Sequence, residues 1–131
     1  MGVVPMKKIL IADDKLHIRR ELRHLIEGHE GWGVCAEAED GVQAVNRAKQ
    51  FKPDLILLDF AMPEMNGIEA AGRISKALPG VPILMFTLYA APLVEKEAEK
   101  VGVQRVISKS STGYMLVPAI EEALVQVHRG D

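Results

Sequence analysis

The chain is 131 residues long, the size of one globular domain. Hydrophobic residues make up 48% of it and charged residues 26%, a balance that excludes intrinsic disorder. The formal net charge of -2 excludes the strongly basic surface of a protein that binds nucleic acid or anionic membranes. Cys35 is the single cysteine and has no partner for an internal disulfide. Since no apolar run approaches the ~20 residues that span a bilayer and no leader pattern is present, we expect a cytoplasmic domain without a membrane partner.

The N-terminal part of the sequence predicts a strand, a helix and a second strand. Residues 1–6 fit no such pattern, and we interpret them as an N-terminal extension or a remnant of cloning. The continuous apolar run at 9–12 predicts a strand that is covered on both faces. Apolar residues then recur at helical spacing: Ile18, Leu22, Leu25 and Ile26. Gly31 and Gly33 indicate a turn, and residues 34–38 form the next candidate strand.

The middle of the sequence predicts two capped helices around a strand. Asp40 is placed to cap the second helix. The expected inner face of this helix consists of Val42, Val45, Ala48 and Phe51. Pro53 ends it, and residues 55–58 form the third strand. Asn66 is placed to cap the third helix, which stops at the Pro-Gly pair 79–80.

The C-terminal part continues the alternation. Residues 83–86 predict a fourth strand, residues 92–101 a short helix ending at Gly102, and residues 103–107 a fifth strand. The last helix is predicted from apolar residues at helical spacing: Met115, Leu116, Ala119, Ile120, Ala123, Leu124 and Val127. Residues 7–128 therefore predict an α/β domain, a doubly wound parallel sheet of five strands with five helices on its two faces.

Polar side chains directly follow four of the predicted strands. Asp13 and Asp14 follow the first strand, Asp59 the third, Thr87 the fourth and Lys109 the fifth. Because open α/β sheets bind ligands at the carboxyl ends of their strands, we expect these side chains to lie together. Each one alone has a simpler interpretation as a helix cap, a strand end or a solvated charge. Their coincidence at one edge indicates a site.

The chemistry of this set favours a divalent cation. Three carboxylates held close together repel one another unless a cation lies among them. A site of oxygen ligands with an open, hydrated side suits Mg²⁺, which can draw in a phosphoryl group. Lys109 would add a positive charge to the phosphoryl oxygens, and Thr87 would add a hydroxyl donor. No glycine follows the first strand directly, which excludes a dinucleotide fingerprint and a phosphate-binding P-loop.

Four segments resemble the receiver domains of bacterial two-component response regulators. They read LIADD at 10–14, DLILLDFAMPEMNGIEA at 54–70, ILMFT at 83–87 and VISK at 106–109. The resemblance extends over about residues 7–128 and is greatest to receivers that precede a helix-turn-helix DNA-binding domain. It implies the flavodoxin-like receiver fold, with strand order 2-1-3-4-5.

The resemblance also implies which residues accept the phosphoryl group and hold the metal. Asp59 would be the phosphoacceptor, taking the group from the phosphohistidine of a histidine kinase. Asp14 and Asp59 would ligate Mg²⁺ directly, together with the backbone carbonyl of Ala61. Asp13 would act on the metal mainly through water.

The other matching positions concern the switch, and here the sequence departs from the family pattern. Thr87 and Lys109 would contact the phosphoryl group, with Thr87 shifting toward it. Val106 stands where Tyr or Phe is usual, so we expect no aromatic switch at that position. Ser110 stands where Pro often follows the lysine, and Leu88 where Ala or Gly is common. We expect Leu88 to narrow access to Asp59 unless it packs against the fourth helix.

These implications predict a phosphorylation-controlled switch rather than an enzyme with a separate substrate. The expected partners are a histidine kinase or phosphotransfer protein and a downstream output domain or protein. Phosphorylation-dependent homodimerisation is a further option, and the domain itself is expected to bind no nucleic acid. Two alternatives stay open: the receiver half of a DNA-binding transcription regulator, and an interaction module that works without phosphorylation.

Overall fold

A computed structural model of the chain describes residues 6–111 and 113–129. Five strands run through this part of the chain: β1 Lys7–Ala12, β2 Trp32–Ala38, β3 Leu55–Leu58, β4 Ile83–Thr87 and β5 Val103–Ser108. Five α-helices alternate with them: α1 Leu16–Glu27, α2 Gly41–Phe51, α3 Gly67–Ala77, α4 Pro92–Lys100 and α5 Gly113–Arg129. A 3₁₀ turn, Lys109–Ser111, follows β5. Apart from Met6, the extension predicted at residues 1–6 lies outside the described residues.

The strands form one parallel sheet in the order β2-β1-β3-β4-β5. This confirms the predicted doubly wound fold. Alternate residues of β1 face opposite sides of the sheet: Ile9 and Ile11 pack with α1 and α5, whereas Leu10 and Ala12 pack with α2 and α3. Because helices cover both faces of β1, its central residues are continuously apolar.

The predicted caps of two helices are confirmed. The side chain of Asp40 accepts a hydrogen bond from the Gln43 N–H at 2.8 Å, and that of Asn66 accepts one from the Glu69 N–H at 2.9 Å. Each bond satisfies one of the backbone donors that the first turn of a helix leaves unpaired.

Strand β2 and helix α2 differ from their predicted limits and faces. β2 begins at Trp32, so Gly33 lies in the strand rather than in the predicted turn. The buried residues of α2 are Gly41, Ala44, Val45 and Ala48. Val42 and Phe51 are exposed, although their spacing predicts an inner position. The small residues face inward because they allow the helix to approach its neighbours closely.

Helix α5 buries most of its predicted stripe. Leu116, Ala119, Ile120 and Ala123 are buried in the face shared with α1, but Met115 is exposed and does not belong to the inner face. The side chain of Val127 lies outside the described residues.

The topology positions a crevice at one edge of the sheet. β1 lies between β2 and β3, so the strand order reverses beside it. Ligands of open α/β sheets bind at such a reversal, outside the carboxyl ends of the strands. In the part of the chain that the structure describes, no helix is both long and apolar enough to cross a membrane.

Candidate functional site

A buried lysine joins two aspartates where β1, β3 and β5 end. The Lys109 Nζ donates to Asp13 Oδ2 at 2.6 Å and to Asp59 Oδ2 at 3.0 Å. All three side chains are buried. The predicted convergence of these residues is therefore observed, although Lys109 is 96 residues away from Asp13 in sequence.

The electrostatics of this group follow from burial and from the ion pairs. Burial raises the pKa of Asp13, and the hydrogen bond from Lys109 opposes that rise without cancelling it. Burial alone would lower the pKa of Lys109, but its hydrogen bonds to Asp13 and Asp59 outweigh that effect and raise the pKa. The lysine is therefore held as a cation among the carboxylates.

Asp14 adds a third carboxylate at the solvent side of the same edge. Asp13, Asp14 and Asp59 each offer an oxygen atom within 4.8 Å of the others. Ligands on opposite sides of an octahedral Mg²⁺ site lie roughly 4 Å apart, so small adjustments bring these oxygens into coordination range. Asp14 pairs only loosely with Lys15, at 3.8 Å, and is open to solvent.

One oxygen of Asp59 also suits a cation. Its Oδ1 atom is buried and has no hydrogen-bond partner among the described residues. A buried carboxylate oxygen without a donor is costly unless a cation or another ligand interacts with it. The three carboxylates, with this free oxygen among them, therefore fit a hard divalent cation such as Mg²⁺.

The backbone around Asp59 is held by close packing with the start of α3. The Asp59 N–H donates to the Ala12 carbonyl at 2.9 Å, and the Gly67 N–H donates to the Phe60 carbonyl at 2.8 Å. A Cβ at Gly67 would lie 2.1 Å from the Asp59 carbonyl oxygen, so only glycine fits there. Gly67 belongs to the segment 54–70 that resembles receiver domains, but the spacing of residues in that segment does not reveal this contact.

Thr87 and Ala61 flank the same edge. Thr87 is fully buried at the end of β4, and its hydroxyl accepts a hydrogen bond from the Tyr89 N–H at 3.2 Å. That bond leaves the hydroxyl proton of Thr87 available to another acceptor. Ala61 lines a cleft of about 470 Å³ that also contains Asp14, Asp59 and Lys109.

Leu88 and Tyr89 also line this cleft. The Leu88 side chain is 63% exposed, so the alternative that it packs against the fourth helix is wrong. The ring of Tyr89 meets that of Phe60 edge to face, with centroids 6.2 Å apart. Two exposed side chains therefore stand beside the opening to Asp59.

The two remaining departures from the family pattern lie around β5. Val106 is half-buried and packs against the core, where it replaces the aromatic residue usual at that position. The Lys109–Ser110 peptide bond is trans. The Ser108 hydroxyl accepts the Ser110 N–H at 3.2 Å and pairs with the Ser110 hydroxyl at 2.6 Å, which stabilises the turn that carries Lys109.

Arg19 also contacts the site, and its position in the sequence does not predict this. Arg19 lies off the apolar stripe of α1, where an exposed position is expected. Its Nη1 instead donates to the Asp13 carbonyl at 2.7 Å. No single-sequence signal reveals this bond, because the direction of the guanidinium depends on how α1 packs beside β2.

Comparison with known proteins identifies related sequences over most of the chain. A sequence model of the response regulator receiver domain matches residues 9–121. The transcriptional regulatory protein LnrK of Bacillus subtilis is 34% identical over 125 residues, covering 95% of this chain and 55% of that protein. The chemotaxis protein CheY of Listeria monocytogenes is 32% identical over 118 residues, covering 90% of this chain and 98% of that protein. The chain thus spans about half the length of LnrK and nearly all of CheY.

Solved structures show the same architecture. A two-component response regulator of the LuxR family from Aurantimonas superposes with a TM-score of 0.88 at 32% identity, covering 92% of this chain and 86% of that one. A CheY-like receiver domain protein from Methanospirillum hungatei superposes with a TM-score of 0.89 at 25% identity, covering 96% and 99%. Both comparisons therefore relate the chain to response regulators.

Proposed function

We propose that Asp59 is the phosphoacceptor of this chain, which belongs to the response regulator receiver family. The premise is the phosphoacceptor role of that family in two-component signalling. The observation that carries this proposal is the Lys109 ammonium bound to both Asp13 and Asp59, beside the unpartnered Asp59 Oδ1. We assign Mg²⁺ to Asp14, Asp59 and the Ala61 carbonyl, with Asp13 acting through water. The bound cation would neutralise charge on the phosphoryl oxygens during transfer.

The side chains prepare Asp59 for attack on phosphorus. The Asp59 carboxylate offers two oxygen atoms, Oδ2 bound by Lys109 and Oδ1 without a hydrogen-bond partner among the described residues, so one can ligate the metal while the other attacks phosphorus. As an oxygen–phosphorus bond forms to Asp59, the bond from phosphorus to the histidine nitrogen of the donor breaks, and the histidine is released. Lys109 then faces a phosphoryl oxygen, and the Thr87 hydroxyl donates its free proton to another.

Binding of the phosphoryl group would move the segment that follows β4. Thr87 is linked to Tyr89 through the hydroxyl that the phosphoryl group would engage. A shift of Thr87 would therefore displace Leu88 and Tyr89, which stand exposed beside the cleft. We assign the switch to this segment, since Val106 offers no aromatic ring that could rotate.

The proposed role is that of an acceptor rather than of an enzyme with a separate substrate. Its partners would be a histidine kinase or phosphotransfer protein and an output domain or protein, in the cytoplasm. A second candidate is the receiver portion of a longer transcription regulator, which is favoured by the match to 55% of LnrK. Sequencing the gene beyond the codon for Asp131 tests this candidate, since a helix-turn-helix domain there would support it.

Phosphorylation by a small donor tests the assignment of Asp59. With acetyl phosphate and Mg²⁺, we expect the protein to gain one phosphoryl group, measured by intact mass. Asp59→Asn should abolish the gain. Asp54→Asn is the matched control, because Asp54 lies at the other end of β3 and bonds the Lys8 N–H at 2.7 Å. Equal labelling of the Asp59 variant would place the acceptor elsewhere.

A further inference from the structure

Arg19 connects the acidic edge of the sheet to β2. Its Nη1 donates to the Asp13 carbonyl at 2.7 Å, and its Nε donates to Glu37 Oε1 at 2.9 Å. The side chain of Arg19 is 11% exposed and that of Glu37 25%, so both bonds are partly buried. Nε and Nη1 belong to one planar, rigid guanidinium. The guanidinium therefore fixes the distance between the Asp13 carbonyl and the Glu37 carboxylate.

Glu37 is itself held in place by a second arginine. Its Oε2 accepts from Arg23 Nε at 2.7 Å, and the Glu37 backbone carbonyl accepts from Arg47 Nε at 3.0 Å. Burial would raise the pKa of Glu37, but the hydrogen bonds from Arg23 and Arg19 outweigh it and lower the pKa. Arg19 thus contacts an anchored carboxylate rather than a mobile one.

The peptide that receives the Arg19 bond joins the two adjacent aspartates. Its carbonyl belongs to Asp13 and its nitrogen to Asp14, so the orientation of this peptide directs the Asp14 side chain. The Asp13 N–H is bound to the Ala38 carbonyl at 3.0 Å. Lys15, the residue before helix α1, makes no side-chain cap, but its N–H donates to Asp13 Oδ1 at 2.9 Å. Arg19 binds the carbonyl of the Asp13–Asp14 peptide directly, whereas the Asp13 side chain bonds the N–H that follows Asp14.

We propose that Arg19 is a positioning residue for the metal site, which orients Asp14 through the Asp13 carbonyl. This inference rests on the proposed function, because it assumes that Asp14 ligates Mg²⁺. Arg19 contacts neither the metal position nor the acceptor oxygen, and its effect is to hold the ligand-bearing peptide. Replacing residues that orient metal ligands commonly weakens metal binding by about tenfold or more.

A purely structural role for Arg19 is separable from this one, because the chain offers a matched control. Arg23 also bonds Glu37, through the other carboxylate oxygen, but makes no bond to Asp13. Arg23→Ala and Arg19→Ala each remove one bond to Glu37 from the same helix. Only Arg19→Ala also removes the bond to the Asp13 carbonyl.

The test is a titration of the protein with MgCl₂ alone. Binding is measured from the amide chemical shifts of residues 13–15 and 59–61 in ¹H–¹⁵N spectra. We expect Arg19→Ala to weaken the Mg²⁺ affinity by about tenfold. Arg23→Ala should keep the wild-type affinity. Arg19→Lys keeps the charge but not the two-pronged geometry, so it should remain weakened. Because Arg19→Lys stays closer to the native structure, it serves as the test variant if Arg19→Ala does not fold.

The outcomes separate this inference from the function on which it rests. Wild-type affinity in Arg19→Ala, equal weakening in Arg23→Ala, or full recovery in Arg19→Lys would each overturn the positioning role. These results leave Asp59 as the acceptor, provided that the wild-type protein binds Mg²⁺ at the cleft. A wild-type protein with no Mg²⁺-dependent shifts at either segment would overturn the proposed metal site and this inference together.

Discussion

Replacing Leu88 with alanine tests whether this side chain restricts access to Asp59. Leu88 follows Thr87 directly and lines the cleft that contains Asp59 and Ala61. Alanine at position 88 removes three carbons from the mouth of the cleft. If the leucine hinders the approach of small phosphodonors and of hydrolytic water, the variant should be labelled faster and should lose its phosphoryl group faster.

The expected magnitude follows from the exposure of the side chain. A leucine that is 63% exposed covers the opening only partly, so the effect should be a few-fold to tenfold, or about 1 kcal/mol in the barrier. The cost in folding stability should stay within about 0.5 kcal/mol, as is usual for exposed positions. A buried leucine would instead lose about 2–5 kcal/mol on truncation. The exposure therefore allows the rates to be compared at nearly equal stability.

The assay measures labelling by acetyl phosphate and the half-life of the phosphorylated protein, in the presence of Mg²⁺. Leu93→Ala is the control, because Leu93 is 72% exposed on α4 and does not line the cleft. It should leave both rates unchanged. Rates in Leu88→Ala equal to those of the wild type, at matched stability, would refute the reasoning and leave Leu88 as a surface residue without a role in access.

Three further outcomes follow from contacts in the site and in the core. Asp14→Ala should weaken Mg²⁺ binding more than Asp13→Ala in calorimetry, because Asp13 is already engaged by Lys109 whereas Asp14 is open to solvent; the reverse order would contradict the ligand assignment. Gly41→Ala should cost about 1–3 kcal/mol in urea unfolding, since its Cβ would lie 2.0 Å from the Met65 carbonyl oxygen. Gly72→Ala has room, with its nearest neighbour at 3.6 Å, and should stabilise by up to about 1 kcal/mol; equal effects would contradict the packing argument. The lowered pKa of Glu37 contributes stability above pH 4.5 that is lost as the pH falls below that value. The difference in melting temperature between the wild type and Glu37→Gln should therefore shrink in acid. A difference that stays constant with pH would exclude this linkage.

The sequence by itself determined the sheet and the main members of the site. Short apolar runs alternate with helical stripes, and only a parallel sheet with helices on both faces buries both patterns. In such a sheet the strands end at a common edge, so residues that directly follow strands must meet there. Asp13, Asp59 and Lys109 could be assigned to one site for that reason, although they lie far apart in the chain.

Tertiary structure decided the contacts that depend on how elements pack against each other. Val42 and Phe51 have the spacing of an inner face, but α2 turns its small residues inward because Gly41 lies against the Met65 backbone. The bond from Arg19 to the Asp13 carbonyl likewise depends on the packing of α1 beside β2. Local periodicity reports which residues of one element share a face, whereas the rotation of that face, and the atoms that it meets, depend on residues distant in the sequence.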